Sequence, residues 1–233
     1  ARTPSPFHLA LPKNLTPVTK FDTWKTGLCL TPGFLKISIF LRKDGGHTIR
    51  TKMEETYGHY DQKSSETDIP AIAGIYDRIL AKEEAGQATI GWVRGVYPTE
   101  SFARKALAAG DLFVLEDGVK LRDGGINQEQ VPEYAGGDWL YSDASDDEIM
   151  VLHTLVVDPQ IAGHGYGRAF VAFYEQYAKK HGCPYLRMDT NAINTAARRF
   201  YAKLGFRESG IVGCTFNGIP GVQLVCLEKK LDF

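Results

Sequence analysis

The sequence predicts an α/β protein, a central mixed sheet flanked by helices on both faces. Three observations carry that expectation. Between residues 57 and 233, stretches with helical apolar periodicity alternate with short apolar runs. One run, Ile149–Val157, is almost wholly apolar, the pattern of a strand buried on both faces. Two late β-rich stretches, Ile211 to Phe216 and Val222 to Glu228, flank Asn217-Gly218-Ile219-Pro220-Gly221 and read as a hairpin with a slightly long loop.

In chain order, Tyr57 to Ser64 offers a first strand with weak alternation. Thr67 or Asp68 caps a helix with Pro70 in its first turn, Ile72, Ile75, Tyr76 and Ile79 on its buried stripe, and Gly86 at its end. Thr99 caps a second helix, lined by Phe102, Ala103, Ala106 and Leu107 and stopped by Gly110. Leu112 to Glu116 is a strand and Asp117-Gly118 a tight turn. Val119 to Leu121 begins a return strand that Arg122-Asp123-Gly124-Gly125 interrupts. Asp138 to Glu148 reads as a solvated acidic loop. After Ile149–Val157, Asp158-Pro159 ends the strand. A glycine loop then opens a helix whose stripe is Phe170, Phe173, Tyr174, Tyr177 and Ala178 and whose end is Gly182. Tyr185 to Asp189 is a strand. Asn194 or Thr195 caps a last helix, with Ala197, Tyr201 and Leu204 on one face and Gly205 at its end.

The first fifty residues differ from the rest. Residues 1–52 hold nine Lys/Arg against two Asp/Glu; residues 53–233 hold eighteen against twenty-six. Five of the eleven prolines fall within the first 32 residues, which forbids a long helix there, and the only apolar run is Phe34 to Leu41. The first methionine is Met53. Residues 1–52 are therefore expected to be a weakly packed basic extension: a stretch foreign to the fold, an arm for an acidic partner, or a targeting segment. Residues 53–233 are expected to be the working domain.

A net charge of −1 argues against a nucleic-acid-binding surface spread over the chain. No stretch approaches the ~18–20 apolar residues of a membrane span. Cys29, Cys183, Cys214 and Cys226 show no C-x-x-C spacing, so no metal site or disulfide framework is expected, and reduced thiols point to a cytoplasmic protein.

Gly163-His164-Gly165-Tyr166-Gly167-Arg168 joins a buried strand directly to a helix. Free N–H groups and the helix dipole at such a junction favour an anion, missing side chains let a diphosphate approach, and Arg168 adds charge at the rim. The bland alternative is a tight turn with no ligand. The G-x-G-x-G spacing, late in the chain, does not fit the dinucleotide fingerprint G-x-G-x-x-G.

The strand, loop and helix from Leu155 to Val171 resemble the acyl-CoA-binding signature of the GNAT superfamily of N-acetyltransferases, with Gln160, Gly163 and Gly165 at its defining places. Asn194, Ala197, Tyr201 and Gly205-Phe206 are similar to the family's second signature. The resemblance covers residues 57–233 and implies that acetyl-CoA is cosubstrate. It implies cofactor contacts from Leu155, Val156, Val157, Gln160, Gly163, His164, Gly165, Tyr166, Gly167, Arg168, Asn194 and Tyr201. It implies an oxyanion donor from the backbone near Leu155 or Val157 and Tyr201 as general acid. His153 resembles the proton relay of the arylalkylamine branch, with Glu148 and Glu129 as rivals for the base. A lone His in an apolar strand is otherwise a core residue, and Tyr201 otherwise a core tyrosine. The expected activity is direct acetyl transfer to a primary amine, a small molecule or a lysine side chain, with no nucleic-acid or membrane partner and with a homodimer as an allowed assembly. The rival is a module of the same fold that binds acyl-CoA without turnover. The family's third strand is continuous and apolar; here Arg122-Asp123-Gly124-Gly125 occupies part of that place, so a short, bulged or irregular strand is expected, which bears on the acceptor side.

Overall fold

The computed structural model describes residues 36–38, 52–54, 63–117 and 120–233. Backbone contacts divide the chain into Ala1–Gly58 and His59–Phe233. In the first unit, β1 (Lys36–Ser38) pairs antiparallel with β2 (Lys52–Glu54), with Ile37 opposite Met53. β1 falls inside the apolar run expected at Phe34 to Leu41. The remaining expectations for residues 1–52, and most of the strand expected at Tyr57 to Ser64, lie outside the described residues.

The second unit is a six-stranded sheet. Two helices open it: α1 (Ile69–Glu84) and α2 (Glu100–Ala109). Ile69, Ile72, Ile75, Tyr76 and Ile79 form the buried stripe of α1, as their spacing requires. The Thr99 hydroxyl accepts from the Phe102 N–H at 3.2 Å, and Gly110 closes α2 at φ 78°. β3 (Leu112–Asp117), β4 (Lys120–Asn127) and β5 (Ile149–Val157) follow. Then come α3 (Tyr166–Lys180), β6 (Tyr185–Asn191), α4 (Thr195–Lys203), β7 (Arg207–Phe216) and β8 (Ile219–Lys230). The strand order is β3-β4-β5-β6-β8-β7; β5 and β6 run parallel and every other pair antiparallel. Phe170, Phe173 and Tyr174 of α3 and Tyr201 of α4 pack with Met150, Leu152, Leu186 and Met188 in one apolar cluster. On the other side, Ile72, Ile75 and Ala103 cover Leu112, Val114 and Val156. Tyr134 covers Ile149, Val151, Leu224 and Cys226.

Two expectations are corrected. The hairpin loop is not long: Asn217 and Gly218 alone turn the chain, both at positive φ (51° and 80°), and Ile219-Pro220-Gly221 already belongs to β8. That is the torsion pattern of a two-residue turn matched to strand twist. The Arg122–Gly125 stretch does not interrupt β4: it pairs with β3 throughout, while its register against β5 shifts between Asp123 and Gly125, the bulged or irregular form the sequence allowed. Gly124 is there because the Phe170 ring lies against the strand: a Cβ on it would sit 2.7 Å from Phe170 Cζ.

Candidate active site

The register of β5 explains where the site opens. Gly125 faces His153 and Asp123 faces Val156, so Gly124 stands opposite two residues, Thr154 and Leu155. This is a bulge, and it bends the strand. Thr154 carries it at φ 53°, a conformation a β-branched residue adopts only at a cost of ~1–3 kcal/mol. Its hydroxyl is hydrogen-bonded to the Tyr97 phenol. β5 pairs with β6 only from Ile149↔Tyr185 to Leu152↔Met188. Beyond that point β5 stays with β4, and β6 stays with β8 as far as Asn191↔Leu224. The two central strands part, and a cavity of about 410 Å³ fills the gap.

Leu155, Val156, Val157, Asn194 and Tyr201, all expected from the sequence, line this cavity. The Asn194 side chain also caps α4, accepting from the Ala197 N–H at 3.1 Å. Tyr201 is buried, with Phe200 and Phe206 rings 5.2 and 6.0 Å away. Burial, helped by the Asp189 carboxylate, pushes its pKa above the ordinary phenol value, so the hydroxyl keeps its proton at neutral pH.

The glycine loop reaches the cavity through Pro159 and Ala162. Gly163 (φ 87°) and Gly165 (φ 82°, the N-cap of α3) are exposed, and a Cβ on either would meet nothing within 4 Å. Backbone rather than side chain therefore faces outward where the first N–H groups of α3 have no intrahelical acceptor. Gly167 instead permits close packing on α4, where a Cβ would lie 3.2 Å from the Phe200 ring. His164 and Arg168 are exposed, and Tyr166 is half-buried. The His164 Nδ1 bonds the Ile161 carbonyl at 3.0 Å. Gln160 is exposed and donates its N–H to Asp158 at 2.9 Å. Asp158 is in turn held by the Arg78 guanidinium through two bonds of 2.8 and 3.1 Å, which anchor the loop to α1.

The expected bases are not brought to the cavity lining. Glu148 lies before the first residue of β5, on the far side of the paired segment from the gap. Its carboxylate is taken by the Ser145 N–H (3.1 Å) and hydroxyl (2.9 Å). His153 is half-buried with Nε2 2.9 Å from Asn127 Oδ1. Burial pushes its pKa down against the opposing influence of Glu129 and Asp111. Glu129 is exposed beside it.

The lining residues that were not among the expected ones include Thr154, Tyr97, Lys82 and Asp189. Among the described residues, Asp189 is the lining's only carboxylate. Its Oδ2 accepts from the Tyr134 hydroxyl at 2.8 Å. Burial pushes its pKa up to about 7, opposed by the Tyr134 bond and aided by Glu133. One sequence signal points to it. A central strand with helices over both faces buries both, so Arg187 and Asp189, alternating with Leu186 and Met188, had to be buried charges with partners.

Residues 125–206 match the model of the acetyltransferase (GNAT) family. A 74-residue stretch is 34% identical to an uncharacterized N-acetyltransferase of Methanocaldococcus jannaschii, a match spanning 32% of this chain and 32% of that relative. Among solved structures, a GNAT-family acetyltransferase of Streptococcus agalactiae aligns with a TM-score of 0.61 at 20% identity, covering 74% of this chain and 95% of the other. The ribosomal-protein-S18-alanine N-acetyltransferase of Escherichia coli aligns at 0.50 and 18% identity, over 74% and 93%. A Salmonella typhimurium structure described as an acetyltransferase with its cofactor acetyl-CoA aligns at 0.50 and 19%, over 74% and 93%. These structures share the fold.

Proposed function

We propose that this chain, whose fold is that of the GNAT acetyltransferases and whose residues 125–206 match that family, moves an acetyl group from acetyl-CoA to a primary amine by direct transfer. The observation that carries the reading is one cavity, opened by the β5 bulge, that brings Leu155, Val156 and Val157 together with Asn194 and Tyr201 beside the glycine loop. Under this reading the CoA diphosphate meets the open backbone at Gly163 and Gly165, and the acyl arm enters between β5 and β6. On the same reading a backbone N–H of the bulged segment, near Leu155 or Val157, polarises the thioester carbonyl. A fixed donor of that kind is worth ~2.7–4 kcal/mol in the transition state. Tyr201 gives its proton to the departing sulfur. Direct transfer is supported by the thiols among the described residues: Cys183, Cys214 and Cys226 are outside the lining and burial pushes each thiol pKa up.

Among the described residues no helix is long and apolar enough to cross a membrane, and no group of three or more His, Cys, Asp or Glu is placed to hold a metal ion. Addition of acetyl-CoA is expected to raise the melting temperature by mass action, and an amine panel is expected to give acceptor-dependent thiol release. A shift without release would leave an acyl-CoA-binding module; no shift would remove the reading altogether.

A further inference from the structure

We propose that Arg78 of α1 and Asp158, the residue that follows β5, are a positioning pair for the cosubstrate: their ion pair holds the glycine loop in the shape that receives the CoA diphosphate. The proposal rests on the acetyl-CoA reading and names residues that prepare its anion site.

A carboxylate is an unexpected residue at this place. Asp158 opens the loop assigned to a diphosphate, and a negative charge beside an anion site repels the ligand. Nor is it turned out to solvent, since its side chain is only 13% exposed. Its contacts account for it. The Arg78 guanidinium takes both oxygens, Nε donating to Oδ1 at 3.1 Å and Nη2 to Oδ2 at 2.8 Å, a fork that fixes direction as well as distance. Oδ1 also accepts the Gln160 N–H at 2.9 Å, and the Asp158 carbonyl accepts the Ile161 N–H at 3.0 Å. Burial acts to raise the carboxyl pKa, but Arg78 and the Gln160 N–H together hold it below the ordinary carboxylate value, so the pair is charged at neutral pH.

One side chain thus ties α1 to the two residues where the chain turns toward Gly163. Ile161 passes the constraint on: its side chain is buried, and its carbonyl accepts from His164 Nδ1 at 3.0 Å. The glycines have little other support. Ala162, Gly163, His164 and Gly165 are exposed, and a Cβ on Gly163 or Gly165 would meet nothing within 4 Å.

Gly74 gives an independent sign that the guanidinium has a fixed place. It lies inside α1, where glycine costs a helix stability relative to alanine. Outside the backbone of α1, the atoms its Cβ would meet within 4 Å are Nη1 of Arg78 at 3.3 Å and Nη2 at 4.0 Å. Long helical side chains lie back over the preceding turn, and a glycine there leaves Arg78 room to do so while it holds Asp158.

Positioning and plain electrostatics predict opposite signs. If charge alone mattered, removing the Asp158 carboxylate would free Arg78 to attract the diphosphate, and acetyl-CoA would bind more tightly. If the carboxylate shapes the loop, its removal weakens binding. A merely structural role predicts neither, and the Arg78 side chain, 38% exposed, belongs to a kind of pair that adds little to folding.

The test compares full-length wild type, Asp158→Asn, Arg78→Gln, Arg78→Lys and the double variant Arg78→Gln/Asp158→Asn. Acetyl-CoA affinity is measured by calorimetry, beside the ligand-free melting temperature and amide hydrogen exchange at Gln160 and Ile161. Asp158→Asn and Arg78→Gln should each weaken acetyl-CoA binding ~10–100-fold, the scale of a displaced binding element, with ligand-free Tm within ~3 °C of wild type. Arg78→Lys keeps the charge but not the fork and should lose nearly as much. The double variant should be no weaker than the weaker single one, because either change alone breaks the same pair. Each single variant should speed exchange at Gln160 and Ile161 ~10-fold in the ligand-free protein. Arg78→Gln alters a partly exposed helix residue and keeps the test available should Asp158→Asn fail to fold. An Asp158→Asn protein that binds acetyl-CoA as tightly as wild type, or more tightly, overturns the proposal. So do wild-type affinity in Arg78→Lys, additive losses in the double variant, or unchanged exchange at both amides. A wild type that does not bind acetyl-CoA overturns instead the reading on which the proposal rests, and the exchange rates then still report whether the pair holds the loop.

Discussion

Gly124→Ala tests the link between the β4 glycines and the bulged strand that frames the cavity. The added Cβ would lie 2.7 Å from Phe170 Cζ, 2.8 Å from Cε1 and 3.2 Å from Leu152 Cδ1. Carbon atoms rest ~3.5–4.0 Å apart, so the ring must retreat by most of an ångström. It has little room: Phe170 is fully buried and edges the Phe173 ring at 5.9 Å. Overpacking a filled core costs ~1–3 kcal/mol, while replacing a strand glycine by alanine returns ~0.5–1 kcal/mol. The expected net loss is ~1–2 kcal/mol, or ~2–8 °C in Tm for a domain of this size. Urea unfolding of wild type, Gly124→Ala, Phe170→Leu and the double variant measures it. In the Phe170→Leu background the ring is gone, and the alanine should cost at least ~1 kcal/mol less. If Gly124→Ala is as stable as wild type, or the two changes are additive, the close approach of Phe170 is not why a glycine stands there.

Three further outcomes are expected. Tyr201→Phe keeps the ring packed on Phe200 and Phe206 and so should keep the fold and the acetyl-CoA shift while kcat falls ~10²–10⁴-fold; undiminished turnover would remove the phenol from the mechanism. Gly165→Val puts a β-branched residue at φ 82° at the mouth of α3 and should abolish the acetyl-CoA shift, and a shift of wild-type size would show that the diphosphate sits elsewhere. Asp189→Asn should stabilise the protein increasingly as pH rises. The folded carboxyl holds its proton to about pH 7 and the unfolded one loses it near ~4, so its burial cost appears between those values and reaches at most ~4 kcal/mol. A melting-temperature difference that does not grow between pH 4 and pH 8 would mean that the carboxylate is better solvated than its setting implies.

Much of the domain was legible because its signals are local. Thr99 and Gly110 bracket α2 through a side-chain acceptor and a left-handed residue, both readable as residue types. Ile149–Val157 announced a central strand by being apolar throughout. What could not be read depends on contacts between distant segments. The apolar run around Thr154 has no feature that says bulge; the extra residue is visible only against the register of β4. Gly124-Gly125 looked like an interruption because the reason for Gly124 lies in α3. Asn217-Gly218 is a strong two-residue turn, but Pro220 and Gly221 after it suggested a longer loop. Asp189 was passed over because an acidic residue at the end of a short strand reads as solvated until the strand is known to be central. His153 was singled out for its place before the glycine loop and a family resemblance, and Glu148 for its place at the mouth of β5, and position along β5 did not put either in the lining.

Three unfavourable features of this domain lie around the gap between β5 and β6. Thr154 is held at positive φ, Asp189 keeps a carboxylate in the cavity wall, and Tyr201 buries a phenol. A sheet optimised for stability would continue the parallel ladder past Leu152 and Met188, place Val or Ile at 154 and an apolar residue at 189, and thereby close the cavity. Each of those replacements follows the local rules of strand formation better than the residue present. Strained and buried polar groups cluster where function needs them, so their meeting at one opening supports the proposed function of the gap. The same logic separates Asp123 from this group. It too is a buried carboxyl, bonded to the Tyr76 hydroxyl at 2.9 Å, but it lies outside the lining. Asp123→Asn should change stability while leaving the acetyl-CoA thermal shift intact, and a lost shift would show that the core of β4 reaches the cavity.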